Sequence, residues 1–254
     1  MRTTPTAGQP SWIELFTSDT DKAREFYGEL FGWSAAETSE EYGGYFMFLH
    51  DGLPVAGCMD NAGGSMGPSA WSVYLHSDDL AATLERASSN GATVVAGPMQ
   101  VGDAGHMGFL TDPQGHDIGV WQPISHPGFS ALTEPGAPAW FELLTARFGD
   151  SSDFYRDTFG WDLHAVSDTD DLRYSTVGKD QEARVGIMEG TGEADQAPGW
   201  RVYLQVPDTD VCAARAAELG GKVLTAPQDT AYGRMSVITD PAGATLTVLG
   251  PLSA

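Results

Sequence analysis

Two glutamates sit in short strand-like runs, Glu14 in WIELFT and Glu142 in WFELLT, 128 residues apart. Side chains alternate across a strand, so Trp12, Glu14 and Phe16 share one face, as do Trp140 and Glu142 in the second run. A carboxylate turned into an apolar interior requires a hydrogen bond or a countercharge. Arg201 is the candidate partner for Glu142. Ser72 occupies the matching place in the first copy, which leaves Glu14 to accept a ligand's hydrogen bond, hold an amine or act as a general base. His76 is the second candidate acid or base because imidazole titrates near neutral pH, with exposure at a strand end as the alternative. His106 and His116 flank a turn, where exposure is expected. His50, His126 and His164 fall at strand ends or in a connecting segment and carry no signal.

The elements that must position these residues are written twice. A shift of 128 aligns PSWIELFT with PAWFELLT, Phe26-Tyr27 with Phe154-Tyr155, and Phe31-Gly32-Trp33 with Phe159-Gly160-Trp161. A shift of 129 matches Gly57 to Gly186, Trp71 to Trp200 and Val73-Tyr74-Leu75 to Val202-Tyr203-Leu204. TDPQG at Thr111 then returns to register with TDPAG at Thr239. This is an internal duplication.

Within the first copy WIELFT reads as a strand. A helix follows, capped by Ser18 or Asp19, with Ala23, Phe26, Tyr27, Leu30 and Phe31 at helical spacing and Gly32 to end it. Three strands come next: SAAETS, YFMFLH and PVAGCMD. The grammar then repeats with strand WSVYLHS, a helix ending at Gly91, and strands TVVAGP, HMGFLT and DIGVWQP. The chain thus holds four βαβββ units. The expected domains are 1–126, with units at about 10–63 and 70–123, and 138–254, with units at about 138–190 and 199–252; a linker rich in Pro, Gly and Ser, 127–137, joins them. GGSMG near Gly63 and GTGEADQAPG near Gly190 are expected as loops between units.

The 35 acidic and 13 basic residues leave a net charge of −22. Such a field repels phosphate backbones and anionic lipid, so nucleic-acid and membrane partners are not expected, while a cationic ligand is tolerated. No run approaches the roughly 18 consecutive apolar residues of a membrane span. MRTTPTAGQP lacks the apolar core of a secretory signal, which makes the expected location cytoplasmic. Cys58 and Cys212 lie at non-equivalent places without metal-type spacing, as free thiols would. No G-x-S-x-G elbow, P-loop or dinucleotide fingerprint is present.

The βαβββ grammar, with FY…FGW on the first helix and DPxG in the last hairpin of both halves, resembles the vicinal oxygen chelate family. That family includes glyoxalase I, bleomycin-resistance proteins, fosfomycin-resistance enzymes and extradiol dioxygenases. The resemblance covers nearly the whole chain. It is greatest to a two-domain actinobacterial branch labelled glyoxalase-like or hydroxylase-like, some members of which accompany aromatic polyketide antibiotic pathways. It implies an α+β fold: two tandem domains, each of two βαβββ units that curl a mixed sheet into a cup. It also implies metal ligands, usually His or Glu, on the first and last strands of each unit. The matching first-strand positions are Trp12, Ser72, Trp140 and Arg201. The matching last-strand positions are Gly57, Gly119, Gly186 and Thr247. None is a competent donor, whereas a catalytic metal generally needs about three.

In that register the expected lining is Trp12, Glu14, Phe48, Ser72, Tyr74 and Trp121 in the first copy, and Trp140, Glu142, Arg201 and Tyr203 in the second. These are flat rings with a few polar groups, beside glycines that leave room above the sheet floor. Trp33 and Trp161 are expected as core anchors, and Trp71 and Trp200 beneath helices. The resulting expectation is metal-independent binding of a planar aromatic small molecule, a natural product or antibiotic, stacked on Trp or Tyr. The role would be sequestration and self-resistance, or accessory work in aromatic polyketide biosynthesis, without a cofactor, by a monomer or homodimer. The alternative is a glyoxalase-type enzyme. One version is a lyase, isomerase or dioxygenase holding a divalent metal on ligands such as Glu14, His76 and His106. The other is metal-free acid–base catalysis by Glu14 or His76. In a third reading the second copy only completes the fold, leaving one working cup.

Overall fold

Residues 5–65, 67–179, 183–190 and 198–253 are described by a computed structural model. The first copy runs β1 (Pro10–Thr17), α1 (Thr20–Phe31), β2 (Ser34–Ala35), β3 (Phe46–His50), β4 (Leu53–Asp60), β5 (Ala70–His76), α2 (Leu80–Ser89), β6 (Thr93–Val101), β7 (Gly105–Thr111) and β8 (Asp117–Pro123). The second repeats it as β9 (Pro138–Thr145), α3 (Phe148–Phe159), β10 (Leu163–Asp168), β11 (Arg173–Val177), β12 (Val185–Glu189), β13 (Gly199–Gln205), α4 (Thr209–Glu218), β14 (Lys222–Thr230), β15 (Gly233–Thr239) and β16 (Thr245–Gly250). Two eight-stranded mixed sheets result, ordered β2-β3-β4-β1-β5-β8-β7-β6 and β10-β11-β12-β9-β13-β16-β15-β14. In each βαβββ unit the first and last strands are parallel neighbours.

Local chemistry explains the helix boundaries. Asp19, Asp79 and Asp208 each accept a hydrogen bond, at 3.0 Å, from the backbone N–H three residues on, satisfying one orphan donor at the starts of α1, α2 and α4. Gly32 and Gly160 end α1 and α3 in the left-handed conformation, φ 72° and 73°, which an L side chain rarely adopts. SAAETS departs from expectation. Only Ser34–Ala35 pairs as a strand, followed by a lone bridge between Ser39 and Tyr45, because the run has a single β-branched residue, Thr38, and no aromatic to hold a sheet edge. GTGEADQAPG lies largely outside the described residues.

By internal contacts the chain divides into two compact units, and each takes one βαβββ from each copy. One comprises the described residues of Met1–Trp12, Ser72–Gly128 and Phe141–Trp200; the other comprises those of Ile13–Trp71, Phe129–Trp140 and Arg201–Ala254. The repeated FY and DPxG motifs hold each unit together. In the second unit, Tyr27 of α1 donates to Asp240 Oδ2 at 3.1 Å and accepts from Trp71 Nε1 at 3.1 Å. In the first, Tyr155 of α3 donates to Asp112 Oδ2 and accepts from Trp200 Nε1, both at 3.1 Å. A fully buried phenol needs such partners, so each helix tyrosine reaches for the turn aspartate of the other copy.

Rings then pack around the phenol. Trp33 and Trp161 stack on Tyr27 and Tyr155 at 5.6 and 4.6 Å and are core anchors, as expected. Trp71 and Trp200 meet the same tyrosines edge-on, on the helix side.

Candidate functional site

The parallel strand pairs place particular residues side by side. Glu14 of β1 is the register partner of Gly57 on β4, Tyr74 of β5 of Gly119 on β8, Glu142 of β9 of Gly186 on β12, and Tyr203 of β13 of Thr247 on β16. Register partners in a parallel ladder point to the same face. Each glutamate therefore shares a face with a glycine from the other end of its own βαβββ unit.

The glycines do not leave the expected room. A Cβ built on Gly57 lies 2.8 Å from Cε2 and Cζ of Tyr45 and closer still to its hydroxyl. One built on Gly186 lies 2.7 Å from both Cε2 and Oη of Tyr174. One built on Gly119 overlaps the Tyr74 ring, with Cγ at 2.5 Å and Cδ1 nearer. Non-bonded carbons rest at about 3.5–4.0 Å. Three phenol rings thus occupy the volume into which a last-strand side chain would project. Thr247 is the fourth of these positions and is buried beside Tyr203.

The site residues fall into groups. Glu14 and Glu142 are buried, 7 % and 5 % exposed, and neither is left without a partner. Tyr74 and Tyr203 are buried, whereas Ser72 and Arg201 are partly exposed. Phe48 does not belong to a lining. It is fully buried in the α1 cluster, 5.6 Å from Tyr27 and 5.2 Å from Trp33, because its strand parity sends it beneath the helix. Trp12 is closed by His126, whose imidazole meets the indole edge-on at 4.5 Å. Trp121 donates its Nε1 hydrogen to the His126 carbonyl at 2.9 Å. Trp140, the counterpart of Trp12, is partly exposed.

His76 is buried, 5 % exposed, at the end of β5. Its backbone N–H donates to Gln9 and its carbonyl accepts from Gly8, while ring Nε2 lies 3.0 Å from Asp78 Oδ1. With Arg86, Asp78, Asp79 and Thr83 it lines a partly open cavity of about 210 Å3. That is smaller than the roughly 300–1,000 Å3 of drug-sized ligand pockets, so this cavity suits water or a small group rather than a fused ring system. His116 is not exposed as expected. It is buried, with Nδ1 2.9 Å from Asp112 Oδ2. Burial works to raise the Asp112 pKa, but the side-chain and backbone hydrogen bonds from His116 hold the carboxyl below its ordinary value.

The donor set does not fit the divalent ion that the fold family implies. The eight expected positions present indole, hydroxyl, guanidinium or no side chain, and three of them are covered by tyrosine rings. Among the described residues, no group of three or more His, Cys, Asp or Glu side chains is arranged to hold a cation, the set Glu14, His76 and His106 included.

Residue-by-residue reading missed Tyr45, Tyr174 and His126. The two tyrosines carried a usable signal, since each precedes its glycine by 12 residues and they coincide in the 129-residue shift. His126 carried none. It follows the last strand of the first copy and acquires its role only by folding back onto Trp12.

The sequence pattern of the Glyoxalase/Bleomycin resistance protein/Dioxygenase superfamily matches residues 9–120 and 137–248. "Putative glyoxylase CFP32" of Mycobacterium tuberculosis is 35% identical over 253 residues, covering 96% of this chain and 95% of that protein. "Anthracycline biosynthesis protein DnrV" of Streptomyces peucetius is 33% identical over 260 residues, covering 95% and 93%. In fold the chain is similar to the Mn(II)-bound glyoxalase from Novosphingobium aromaticivorans, with a TM-score of 0.68 at 15% identity over 97% of this chain and 83% of that one. Both halves carry the same βαβββ units and both are matched, so the chain belongs to the glyoxalase/bleomycin resistance protein/dioxygenase superfamily, as two tandem domains of its fold.

Proposed function

We propose that this protein binds a planar, mostly apolar aromatic molecule without using a metal, and acts in the cytoplasm in sequestration or self-resistance, or as an accessory in aromatic polyketide biosynthesis. The observation that carries this reading is the tyrosine cover over Gly57, Gly119 and Gly186. Where the superfamily's chelating side chains would project, this chain has packed phenols. The relative named for anthracycline biosynthesis favours an aromatic polyketide as ligand class. Within one unit Glu14, Trp140, Arg201 and Tyr203 are the proposed contacts, rings packing on rings while the polar groups set orientation; within the other unit Tyr74 and Glu142 are the candidates. No helix of the described residues is long and apolar enough to cross a membrane.

The test is a fluorescence titration with anthraquinones, anthracyclines and naphthols, run beside elemental analysis of protein purified without chelators. Saturable micromolar quenching with substoichiometric metal is the expected result. Stoichiometric zinc, nickel, iron or manganese, or no saturation below roughly millimolar, the regime of negligible affinity, would overturn it. A second reading, metal-free acid–base catalysis, is favoured by one observation: buried His76 holds a carboxylate on Nε2. Turnover that vanishes in Glu14→Gln or His76→Gln while ligand affinity persists would establish it.

A further inference from the structure

We infer that the aromatic ligand packs a ring against Trp140 of the second copy, and that the equivalent place on Trp12 is filled by the chain's own His126; this rests on the binding reading above. Trp12 and Trp140 hold the same position in β1 and β9, 128 residues apart. Their surroundings differ. The Trp12 indole is 5 % exposed and carries the His126 imidazole at 4.5 Å with an interplanar angle of 90°. The imidazole is also 5.8 Å from the Trp121 ring, and the hydrogen bond from Trp121 Nε1 to the His126 carbonyl fixes the backbone that presents it. Burial lowers the His126 pKa to about 4, so at neutral pH the ring is uncharged and flat.

Among the described residues the second copy shows neither part of this device. Leu249 stands where the shift of 128 puts Trp121, without a ring or an N–H, and Ala254 stands where it puts His126. Trp140 is partly exposed, and among the described residues it has no hydrogen-bond, ring or cation–π partner. The first copy therefore displays what this tryptophan position accepts, a neutral planar ring, and the second copy offers the same indole to a ring from outside. This assignment gives a working cup to the second copy, where the alternative reading has that copy only complete the fold.

The experiment uses the full chain with 1,8-dihydroxyanthraquinone and daunorubicin as probes, and measures affinity by equilibrium dialysis and tryptophan quenching. Trp140→Ala should weaken binding about tenfold or more, Trp140→Phe should retain most of it, and Trp12→Phe should leave it within about twofold. Acrylamide quenching of the ligand-free protein supplies a check that needs no ligand. Trp140→Phe should reduce the quencher-accessible part of the emission, which it shares with the partly exposed Trp200, and Trp12→Phe should not. Wild-type binding that survives Trp140→Ala, or is lost in Trp12→Phe, would overturn the assignment while leaving the binding reading intact. A wild-type protein that binds neither probe nor any other planar aromatic would remove that reading and the inference with it.

Discussion

The tyrosine cover is open to a direct mechanical test at Gly119. In Gly119→Ala the new methyl would sit 2.5 Å from Cγ of Tyr74 and nearer to Cδ1 and Cε1, so the ring must move by about 1 Å to restore a normal contact. It has little freedom to do so. Tyr74 is 3 % exposed and meets Phe109 edge-on at 6.0 Å. Forcing a methylene into a packed core costs about 1–3 kcal/mol, and replacing a strand glycine returns roughly 0.5–1 kcal/mol through the unfolded chain. The net expectation is a loss of about 1 kcal/mol, or a Tm lower by roughly 2–4 °C for a chain of this size. Urea denaturation followed by far-ultraviolet circular dichroism reads the change. The decisive arm is a double-mutant cycle. In a Tyr74→Ala background the methyl has space, so Gly119→Ala should become neutral or slightly stabilising, a coupling of about 2 kcal/mol. Equal cost in both backgrounds, or a Gly119→Ala protein as stable as the parent, would refute the claim that phenols fill these positions.

Three other outcomes are expected. Gly149 lies on the exposed first turn of α3 with nothing within 4 Å of a built Cβ, so Gly149→Ala should stabilise by about 0.5 kcal/mol in the same assay. Tyr27→Phe keeps the ring stacking but strips Trp71 of its acceptor and Asp240 of a donor, and should cost about 1–3 kcal/mol; a change below about 0.5 kcal/mol would contradict the buried network. The two turn aspartates should respond to pH in opposite directions. His116 holds the Asp112 pKa down, so its contribution is present above pH 3.8 and fades as pH falls through the lower folded value. Burial raises the Asp240 pKa against the hydrogen bonds from Ala244 and Tyr27, so its contribution is present below pH 3.8 and fades as pH rises through the higher folded value. At pH 7 denaturation should find Asp112→Asn costing about 1–3 kcal/mol, since it replaces the carboxylate that accepts buried hydrogen bonds from Tyr155 and the His116 backbone, and Asp240→Asn costing clearly less.

Much of this architecture is legible in the residue order because its causes are local. Aspartate three residues before a helix N–H, glycine at a left-handed helix end and alternating apolar residues in strands act over a few positions, so four βαβββ units and their duplication can be read directly. The roles of Trp33, Trp71, Trp161 and Trp200 follow from the same periodicities. SAAETS failed as a strand for the related reason that apolar alternation was never strong there.

Tertiary structure decided what lies between distant positions. Nothing near Tyr27 announces Asp240, and nothing near Gly57 announces which ring covers it. A glycine in a sequence records only a missing side chain, and whether its space stays open depends on residues that approach through the fold. Phe48, His116 and His126 were misjudged on the same ground, since burial belongs to the packed environment and not to the residue. That two equivalent tryptophans end in unlike surroundings, one under an imidazole and one partly open, follows from where the connecting chain folds back, which residue spacing does not encode.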